Sequence, residues 1–293
     1  MGDSEPHPED RPVLFLDSGV GGLPYLSAAA AEFPNERFIY LADRLNFPYG
    51  ERTPEEVRRA ILAAAGEAVA AFRPKVSVVA CNTASVVALD ALREQYVLPF
   101  VGVVPAVKPA AEQSRSGRIG VLATARTVED RYLLGLIERF AADCYVLSVA
   151  GGDIVTFVER RFFVSHADER RAVVQEAARR FCEARIDTVV LGCTHFLHVE
   201  HELADALGPD IRVIDSRAGV TRRLGAVLHE YGLARTPAQV DKRSERARAS
   251  MYVTCASGDS LEADSLEAES EDYHRFAKQF GLTFSGGLRV EAR

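Results

Sequence analysis

Two cysteines occupy matching positions in this 293-residue chain, each just after an apolar segment and at the start of a predicted helix. Cys81 follows the run Val76–Ala80, and Cys193 follows Thr188–Leu191 and one glycine. A thiol at a helix N-terminus faces unpaired N–H groups and the positive end of the helix dipole. We therefore predict two reactive thiols whose pKa values are lowered from the ordinary value of about 8.5 toward neutrality.

The segments upstream of the two cysteines also correspond. A strand followed by Asp17-Ser18 precedes Cys81, and a strand followed by Thr124 precedes Cys193 by a similar interval. This pattern indicates an internal duplication, with two α/β halves that each carry one cysteine at the carboxyl edge of a sheet, where ligands bind. Two thiols on opposite sides of one small molecule could invert a stereocentre at Cα, since one removes a proton while the other supplies one.

Residues beside the cysteines could support this chemistry. Asp17 and His195 could tune the two thiols, because histidine exchanges protons near neutral pH. Side chains at the predicted strand–helix turns could bind a carboxylate together with exposed N–H groups; they are Ser18, Asn82, Thr83 and Thr194. Pyridoxal phosphate needs a Schiff-base lysine, and the four lysines lie elsewhere, at Lys75, Lys108, Lys242 and Lys278. We therefore expect cofactor-free racemisation of an amino acid.

Three other interpretations of these residues stay open at this point. Cys193 as nucleophile with His195 as base would make a hydrolase, although side chains two residues apart seldom face each other and Cys81 then has no role. A binding module would keep the anion contacts and need neither thiol. Cys193, His195, His198 and His201 resemble a zinc motif, but their spacing does not place all four on one helix face. We expect no metal there and two surface histidines, His198 and His201.

The elements that position these residues alternate along the chain. The capping box Thr53-Pro54-Glu55-Glu56 predicts the start of a helix. Helical patterns cover residues 24–33, 54–72, 82–95, 127–140, 168–184, 192–207, 220–231 and 271–280. Apolar runs predict strands over residues 13–16, 76–80, 101–104, 119–123, 145–149, 188–191, 212–214, 252–255 and 288–290. This alternation implies an α/β fold with two similar domains, each a mainly parallel sheet flanked by helices, and an active site in the interdomain cleft.

Composition and charge favour a globular protein of the cytoplasm. Hydrophobic residues make up 47% of the chain and its net charge is −7, which argues against a nucleic-acid-binding surface. We find no secretory signal in residues 1–12 and no apolar run long enough to span a membrane. The five cysteines are odd in number and form no CxxC pair, so we expect no disulfides and interpret Cys144, Cys182 and Cys255 as inert core residues.

Six ordered segments resemble the cofactor-independent aspartate/glutamate racemase family, and within it the bacterial glutamate racemases. The segments are FLDSGVGGLPYL (15–26), PYGERTPEEV (48–57), ACNTASVVALDAL (80–92), FVGVVPAVKPAA (100–111), GVLATARTV (120–128) and VVLGCTHF (189–196). The resemblance implies a two-cysteine enzyme without cofactor that interconverts L- and D-glutamate and supplies D-glutamate for peptidoglycan. An aspartate racemase or a broader amino-acid racemase of the same family is the alternative.

The resemblance also implies roles for individual residues and partners. Cys81 would be the base for D-glutamate and Cys193 the base for L-glutamate, with Asp17 and His195 assisting. Implied substrate contacts are Asp17, Ser18, Tyr49, Gly50, Asn82, Thr83, Thr194 and His195. Glu159 falls where the family has a further assisting glutamate. A homodimer is implied, and Val104-Pro105-Ala106 resembles a subgroup of which some members respond to a peptidoglycan precursor, a further candidate partner.

Two segments depart from the family pattern. The second cysteine motif continues as Phe196-Leu197-His198-Val199 where the family has Phe/Tyr-Pro-Leu-Leu. Asp215-Ser216-Arg217 stands where the family has Asp-Ser-Gly. Neither departure changes a residue implied in proton transfer.

Domain boundaries follow from the repeated pattern of elements. We predict a disordered tail over residues 1–12, a first domain over 13–104 plus 215–293, and a second domain over 105–214. Residues 234–250 and the acidic segment 258–272 are interpreted as surface insertions, the latter as a solvated flexible loop.

Overall fold

The computed structural model describes residues 7–236, 249–256 and 269–291. The strands are β1 Val13–Asp17, β2 Phe38–Ala42, β3 Val76–Val79, β4 Phe100–Gly102, β5 Arg118–Ala123, β6 Tyr145–Ala150, β7 Thr188–Leu191, β8 Arg212–Ile214, β9 Ala249–Cys255 and β10 Thr283–Arg289. The helices are α1 Leu23–Glu32, α2 Pro54–Phe72, α3 Asn82–Gln95, α4 Val107–Gln113, α5 Ala125–Glu129, α6 Arg131–Phe140, α7 Gly152–Arg161, α8 Ala167–Glu183, α9 Glu200–Leu207, α10 Arg217–Glu230 and α11 Glu269–Gln279. Short 3-10 helices cover Pro8–Asp10, Arg44–Asn46, Tyr49–Glu51 and Thr194–Val199.

The strands form two sheets. The larger sheet has the order β10-β9-β2-β1-β3-β4, and the smaller has the order β6-β5-β7-β8. Every strand pairing among the described residues is parallel. The predicted α/β class with two mainly parallel sheets is therefore confirmed.

Both faces of each sheet are covered, which explains the continuous apolar strands. Val13 and Phe15 of β1 belong to a central core that also contains side chains of the smaller sheet, whereas Leu14 and Leu16 pack with α2 and α3. A third core lies on the outer face of the smaller sheet and includes residues of α4 and α6. The two sheets thus share one core and each has a second one of its own.

The larger sheet takes its strands from residues 13–102 and 249–289, and the smaller from residues 118–214. The domain boundaries at 104 and 215 stay a prediction. No helix among the described residues is both long enough and apolar enough to span a membrane.

Several elements differ from the sequence-based prediction. β2, α4 and α7 were not predicted, although β2 is as apolar as β1. The helix predicted over 127–140 is two helices, because Asp130 has extended backbone and caps α6 by accepting the N–H of Tyr132 at 2.7 Å. The helix predicted over 192–207 begins as a 3-10 helix at Thr194 and becomes α-helical only at Glu200.

The predictions for the N-terminal tail and the acidic segment also differ from the structure. Residues 1–6 of the predicted disordered tail lie outside the described residues, but Pro8–Asp10 form a 3-10 turn. This turn is fixed because Lys75 Nζ donates to the Glu9 carbonyl at 2.7 Å and Arg235 lies 3.3 Å from Asp10. Most of the acidic segment lies outside the described residues, and from position 269 onward it is helical in α11 rather than a loop.

Candidate active site

Cys81 and Cys193 line the same cavity, at the carboxyl edges of the two sheets. The cavity has a volume of about 160 Å³. Pockets for drug-sized ligands have volumes of roughly 300–1,000 Å³, so this smaller cavity suits a molecule of amino-acid size. The two cysteine residues are only 7% and 8% exposed, so both are largely enclosed by the protein.

The same local structure presents each cysteine. β3 and β7 lie beside β1 and β5, and each ends two residues before its cysteine. Cys81 has φ −138° and ψ 124°, and Cys193 has φ −139° and ψ 138°, so both are extended residues that precede a helix. The backbone geometry agrees with the internal duplication inferred from the sequence.

Asp17 is fully buried at the end of β1. Its Oδ1 accepts the N–H of Ser18 at 2.6 Å, and its Oδ2 accepts the N–H of Gly22 at 2.6 Å and the hydroxyl of Tyr40 at 3.2 Å. Burial raises the pKa of Asp17 above its ordinary value, against the opposing effect of the positive charge on His195. Asp17 is therefore a carboxyl group that can hold a proton beneath the cavity.

The glycine-rich loop after β1 allows the two halves to approach closely. A Cβ atom on Gly21 would lie 2.5 Å from His195 Nδ1 and 2.5 Å from Thr194 Oγ1, a distance that carbon atoms do not tolerate. The hydroxyl of Thr194 in turn donates to Asp17 Oδ2 at 3.4 Å. Gly21 is therefore required for the contact between the Asp17 loop and the Cys193 loop.

Glu159 joins His195 to this glycine-rich loop. Its Oε1 accepts the Nε2–H of His195 at 2.7 Å and the N–H of Val20 at 2.6 Å. The side chains of His195 and Glu159 are only 3% and 6% exposed. Glu159, which the resemblance implies as a further assisting residue, thus directly contacts His195.

The electrostatic environment of His195 favours its charged form. Burial opposes protonation, but the hydrogen bonds to Cys193 and Glu159 and the charge of Glu159 outweigh it, and they raise the pKa of His195 well above its ordinary 6.5. His195 Nδ1 lies 3.8 Å from Cys193 Sγ. A protonated imidazole at this position can stabilise negative charge on the sulfur or return a proton to it.

The environment of Cys81 is different. Burial raises the pKa of the Cys81 thiol well above its ordinary value, and the nearby Asp17 carboxylate raises it further. The N–H of Ala84 and the side chain of Ser18 act in the opposite direction without outweighing burial. The prediction of a lowered pKa is therefore wrong for Cys81, because loss of solvation exceeds the effect of the helix N-terminus. With its pKa raised, Cys81 keeps its proton and can act as a proton donor.

Asn82 lines the cavity with both polar atoms available. Its Nδ2 and Oδ1 are buried and have no hydrogen-bond partner among the described residues. Buried amides are ordinarily paired, since an unpaired one costs about 1–3 kcal/mol. An unpaired donor and an unpaired acceptor on a residue that lines a cavity fit a ligand with an anionic and a cationic group. Thr83 lines the cavity beside Asn82.

Tyr49 and Gly50 form another wall of the cavity. The Tyr49 hydroxyl donates to Asp43 Oδ2 at 2.6 Å, and Asp43 Oδ1 accepts the hydroxyl of Thr254 at 2.7 Å. A Cβ atom on Gly50 would lie 3.0 Å from the Thr124 side chain. This wall is therefore anchored to β9 on one side and contacts the smaller sheet on the other.

The cavity brings most of the predicted site residues together. Its lining contains Ser18, Tyr49, Gly50, Cys81, Asn82, Thr83, Cys193, Thr194 and His195. Asp17 and Glu159 lie behind this lining and act on it through the hydrogen bonds described above. Among the described residues, no group of three or more His, Cys, Asp and Glu side chains is arranged to hold a metal ion.

The cavity also contains residues that the sequence does not mark as functional. Thr124 lines the cavity and caps α5; it was noticed only as the counterpart of Asp17. Val155 provides an apolar wall from α7, a helix that was not predicted. Asp43 contacts Tyr49 from outside the lining, and the only sequence signal for it is its position directly after β2.

Several expectations about side chains are wrong. Cys193 and His195 do face each other, because the first is extended and the second is in a 3-10 helix, where the α-helical spacing rule does not apply. His198 is not a surface residue: its Nε2 donates to the Val20 carbonyl at 3.1 Å, whereas the His201 side chain is 86% exposed as expected. Cys182 is exposed rather than in the core.

Of the remaining cysteines, Cys144 is partly exposed and Cys255 is buried. Cys144 therefore departs from the expected core position, and Cys255 agrees with it. None of the five cysteines, all of which lie in the described part of the chain, forms a disulfide bond.

Comparison with known proteins agrees with this geometry. The family model described as Asp/Glu/hydantoin racemase matches residues 25–223. The chain belongs to this family. The resemblance inferred from the six sequence segments is confirmed.

Individual members of the racemase family extend the comparison over nearly the whole chain. The glutamate racemase of Treponema pallidum (strain Nichols) is 38% identical over 282 residues, which cover 96% of this chain and 98% of that protein. The glutamate racemase of Shewanella baltica (strain OS155) is 39% identical over 223 residues, 76% of this chain and 81% of its own length.

Solved structures of this racemase family have the same fold. Escherichia coli glutamate racemase, crystallised with L-glutamate and the activator UDP-MurNAc-Ala, aligns with a TM-score of 0.81 and 32% identity, covering 96% of this chain and 99% of its own. The RacE1 isoform of Bacillus anthracis glutamate racemase aligns with a TM-score of 0.75 and 26% identity, covering 97% and 98%.

Proposed function

We propose that this chain is a glutamate racemase that interconverts L- and D-glutamate by direct proton transfer at Cα, with Cys81 and Cys193 as the two proton-transfer groups. The observation that carries the proposal is the single small cavity lined by both cysteines, each presented by a different sheet. Family membership supports racemase chemistry, and the relatives named above support glutamate as the substrate.

The side of the cavity formed by Cys193 and His195 is suited to deprotonate L-glutamate. The Cys193 thiolate takes the Cα proton and becomes a thiol, while the electron pair of the broken C–H bond stays on the substrate carbon. The protonated His195 beside the sulfur stabilises the thiolate before the transfer, and Glu159 holds the imidazole in place. The electrostatics described for His195 support this assignment.

The side formed by Cys81 completes the inversion. Its thiol delivers a proton to the opposite face of the carbanion, which yields D-glutamate and leaves a thiolate at Cys81. The raised pKa of Cys81 supports its role as the donor in this direction, and Asp17 can resupply a proton. In the reverse direction the same two groups exchange roles, as microscopic reversibility requires.

The lining of the cavity supports binding of an amino acid without a cofactor. Asn82 offers an amide donor and an acceptor, and the N-terminal N–H groups of α3 together with the hydroxyls of Thr83 and Thr194 can hold a carboxylate. No lysine is among the lining residues, so none is placed to form a Schiff base there.

Substitution of single cysteines tests the proposal. We expect Cys81→Ser and Cys193→Ser each to lower racemisation of L-glutamate and of D-glutamate by about 10³-fold or more, because each direction needs both groups. Exposed Cys182→Ser is the matched control and should keep wild-type activity. A hydrolase would lose activity only with Cys193→Ser, and racemisation of L-aspartate in place of glutamate would change the substrate assignment.

The biological role follows from the product. We propose that the enzyme supplies D-glutamate for peptidoglycan from the cytoplasm, where the precursor is built. Expression of the chain should restore growth of a D-glutamate auxotroph without added D-glutamate, and the Cys193→Ser variant should not.

We also propose regulation by a peptidoglycan precursor. The E. coli relative was crystallised with UDP-MurNAc-Ala as activator. In this chain a groove of about 630 Å³ is lined by Arg11, Arg93 and Arg223, and no carboxylate is among its lining residues in the described part of the chain, which suits an anionic nucleotide. UDP-MurNAc-Ala should raise the racemase activity of the wild type, and Arg223→Ala should reduce that response while keeping the basal rate.

We also propose that the chain assembles as a homodimer. It rests on the family resemblance alone, and sedimentation equilibrium across the concentration range of the activity assay tests it. A dimer mass supports the proposal, and a monomer mass at all concentrations contradicts it.

A further inference from the structure

Two side chains of the Cys193 half form hydrogen bonds with the backbone of Val20, one with its N–H and one with its carbonyl. Val20 lies in the loop between β1 and α1 and is completely buried. Its N–H donates to Glu159 Oε1 at 2.6 Å, and its carbonyl accepts Nε2–H of His198 at 3.1 Å. The proposed function uses Glu159, but it gives no role to His198.

The imidazole of His198 is held in one orientation. The rings of Phe162, Phe276 and Phe280 surround it, with centroid distances of 5.9, 5.5 and 5.5 Å. Burial, together with the charge of His195, lowers the pKa of His198 to about 3, so the ring is neutral near pH 7. A neutral imidazole carries one N–H, and the Val20 carbonyl requires it on Nε2.

This orientation of the His198 ring leaves one buried nitrogen atom unpaired among the described residues, which indicates a function. Nδ1 of His198 is then an acceptor, and it is buried without a hydrogen-bond partner among the described residues. A leucine at this position would pack against the same aromatic rings without an unpaired buried atom. The hydrogen bond to Val20 is therefore the specific contribution of the histidine.

The hydrogen bonds continue from Val20 to the reacting sulfur. Glu159 Oε1 is shared between the Val20 N–H and His195 Nε2, and the other ring nitrogen of His195 lies 3.8 Å from Cys193 Sγ. A shift of the Val20 peptide would move Glu159 and with it His195. His198 thus acts on Cys193 through three intermediate groups and touches neither the substrate cavity nor the sulfur.

We propose that His198 is a positioning residue for the Cys193 side of the racemisation site. By fixing the Val20 carbonyl it fixes the oxygen of Glu159 that orients His195. The inference rests on the proposed function and deepens it, because it assigns the device that keeps one of the two proton-transfer groups aligned. It also accounts for a histidine at one of the two places where the sequence departs from the family pattern.

Two variants without the donor test this role, His198→Phe, which keeps an aromatic ring among the others, and His198→Leu. For either variant that folds, judged by its thermal transition, kcat/KM should fall about tenfold, since misplacement of a catalytic group is costly. The loss must be equal for L- and D-glutamate, because enantiomers have equal free energy and the equilibrium constant of racemisation cannot change.

Isotope effects separate the two sides of the site. With α-deuterated L-glutamate, Cys193 removes the deuteron, so the isotope effect on kcat/KM should increase in the His198 variants. With α-deuterated D-glutamate, Cys81 removes it, and the effect should decrease because the later step at Cys193 has become slower. A loss of folding or of general packing would not shift the two effects in opposite directions.

The controls are chosen from the same region. His198→Gln keeps an N–H at a similar reach and should return kcat/KM and both isotope effects toward the wild-type values. His201→Leu, an exposed histidine three residues along, should change neither. Unchanged isotope effects in folded His198→Phe and His198→Leu, or equal behaviour of His198→Gln and these variants, would overturn the inference. An inactive wild type would instead overturn the proposed function.

Discussion

At the scale of single residues, the two cysteines of the cavity differ in their surroundings. Burial raises the pKa of the Cys81 thiol, whereas Cys193 has a protonated imidazole beside it. A racemase needs one acceptor and one donor at the start of each turnover. The structure provides this asymmetry through the partners of the sulfurs, Asp17 on one side and His195 on the other.

Replacement of Asn82 by an apolar residue should raise the stability of the protein and weaken substrate binding. In Asn82→Leu we expect the free energy of unfolding to rise by about 1 kcal/mol, because a buried unpaired amide is removed. The KM for glutamate should rise about tenfold or more, since hydrogen bonds to charged groups contribute about 1.5–3 kcal/mol. Urea unfolding and steady-state kinetics measure the two effects.

Ser77 provides the control for that experiment. Its hydroxyl is also buried without a partner among the described residues, but it does not line the cavity. Ser77→Ala should leave KM unchanged. An unchanged KM in Asn82→Leu would show that Asn82 does not bind substrate.

The charge of His195 should make stability depend on pH. Its folded-state pKa is raised above the ordinary 6.5, so its stabilising contribution is complete below about pH 6.5 and is lost as pH rises through the raised value. The difference in unfolding free energy between the wild type and His195→Asn should therefore be largest near pH 6 and smaller near pH 9. A difference that is constant or grows with pH would contradict the assigned protonation state.

At the scale of elements, the loop between β1 and α1 leaves little room for additional side-chain atoms. In Gly21→Ala the new methyl group would overlap His195 and Thr194. We expect kcat/KM to fall about 100-fold and stability to fall by about 1–3 kcal/mol. Activity assays and thermal unfolding measure these effects.

Gly135→Ala is the matched substitution for Gly21→Ala. Gly135 lies in α6, and a Cβ atom there meets no atom within 4 Å. Alanine is a better helix former than glycine, so this variant should gain about 0.5–1 kcal/mol and keep full activity. A fully active Gly21→Ala would contradict the close contact between the two loops.

The elements that could be predicted from sequence are those with a strong local signal. α2 was predicted with its observed bounds, because Thr53 and Glu56 form the capping box and the apolar face is regular. The strands before Cys81 and Cys193 are buried on both faces and so appear as apolar runs. α7 was missed because it begins at a Gly-Gly pair, which usually marks a turn.

The same difference between local and long-range signals explains which site residues could be predicted from the sequence. Residues that directly follow a central strand could be placed together, because the carboxyl ends of parallel strands meet at one edge. Contacts between the two sheets, such as Val20 with Glu159 and His198, depend on how the halves pack, and no local pattern encodes that. The sign of the Cys81 pKa shift also depends on the depth of burial, which only the assembled cavity determines.

At the scale of the whole molecule, the two sheets are joined by a common core. This core contains Phe15 of β1 and Val78 of β3 from the larger sheet, and Leu122 of β5 and Val189 of β7 from the smaller sheet. Because neither sheet can lose this core alone without exposing apolar side chains of the other, we expect one cooperative unfolding transition. Differential scanning calorimetry should give equal calorimetric and van't Hoff enthalpies, whereas two separated transitions would contradict the shared core.

In the proposed reaction, two different groups act on opposite faces of one carbon. Incubation of the purified protein with L-glutamate in deuterated water, followed by separation of the two enantiomers at low conversion, tests this directly. We predict that the D-glutamate formed carries deuterium at Cα from Cys81, while the remaining L-glutamate carries almost none. Deuterium at equal levels in both enantiomers would indicate a single base, and absence of D-glutamate would contradict racemisation altogether.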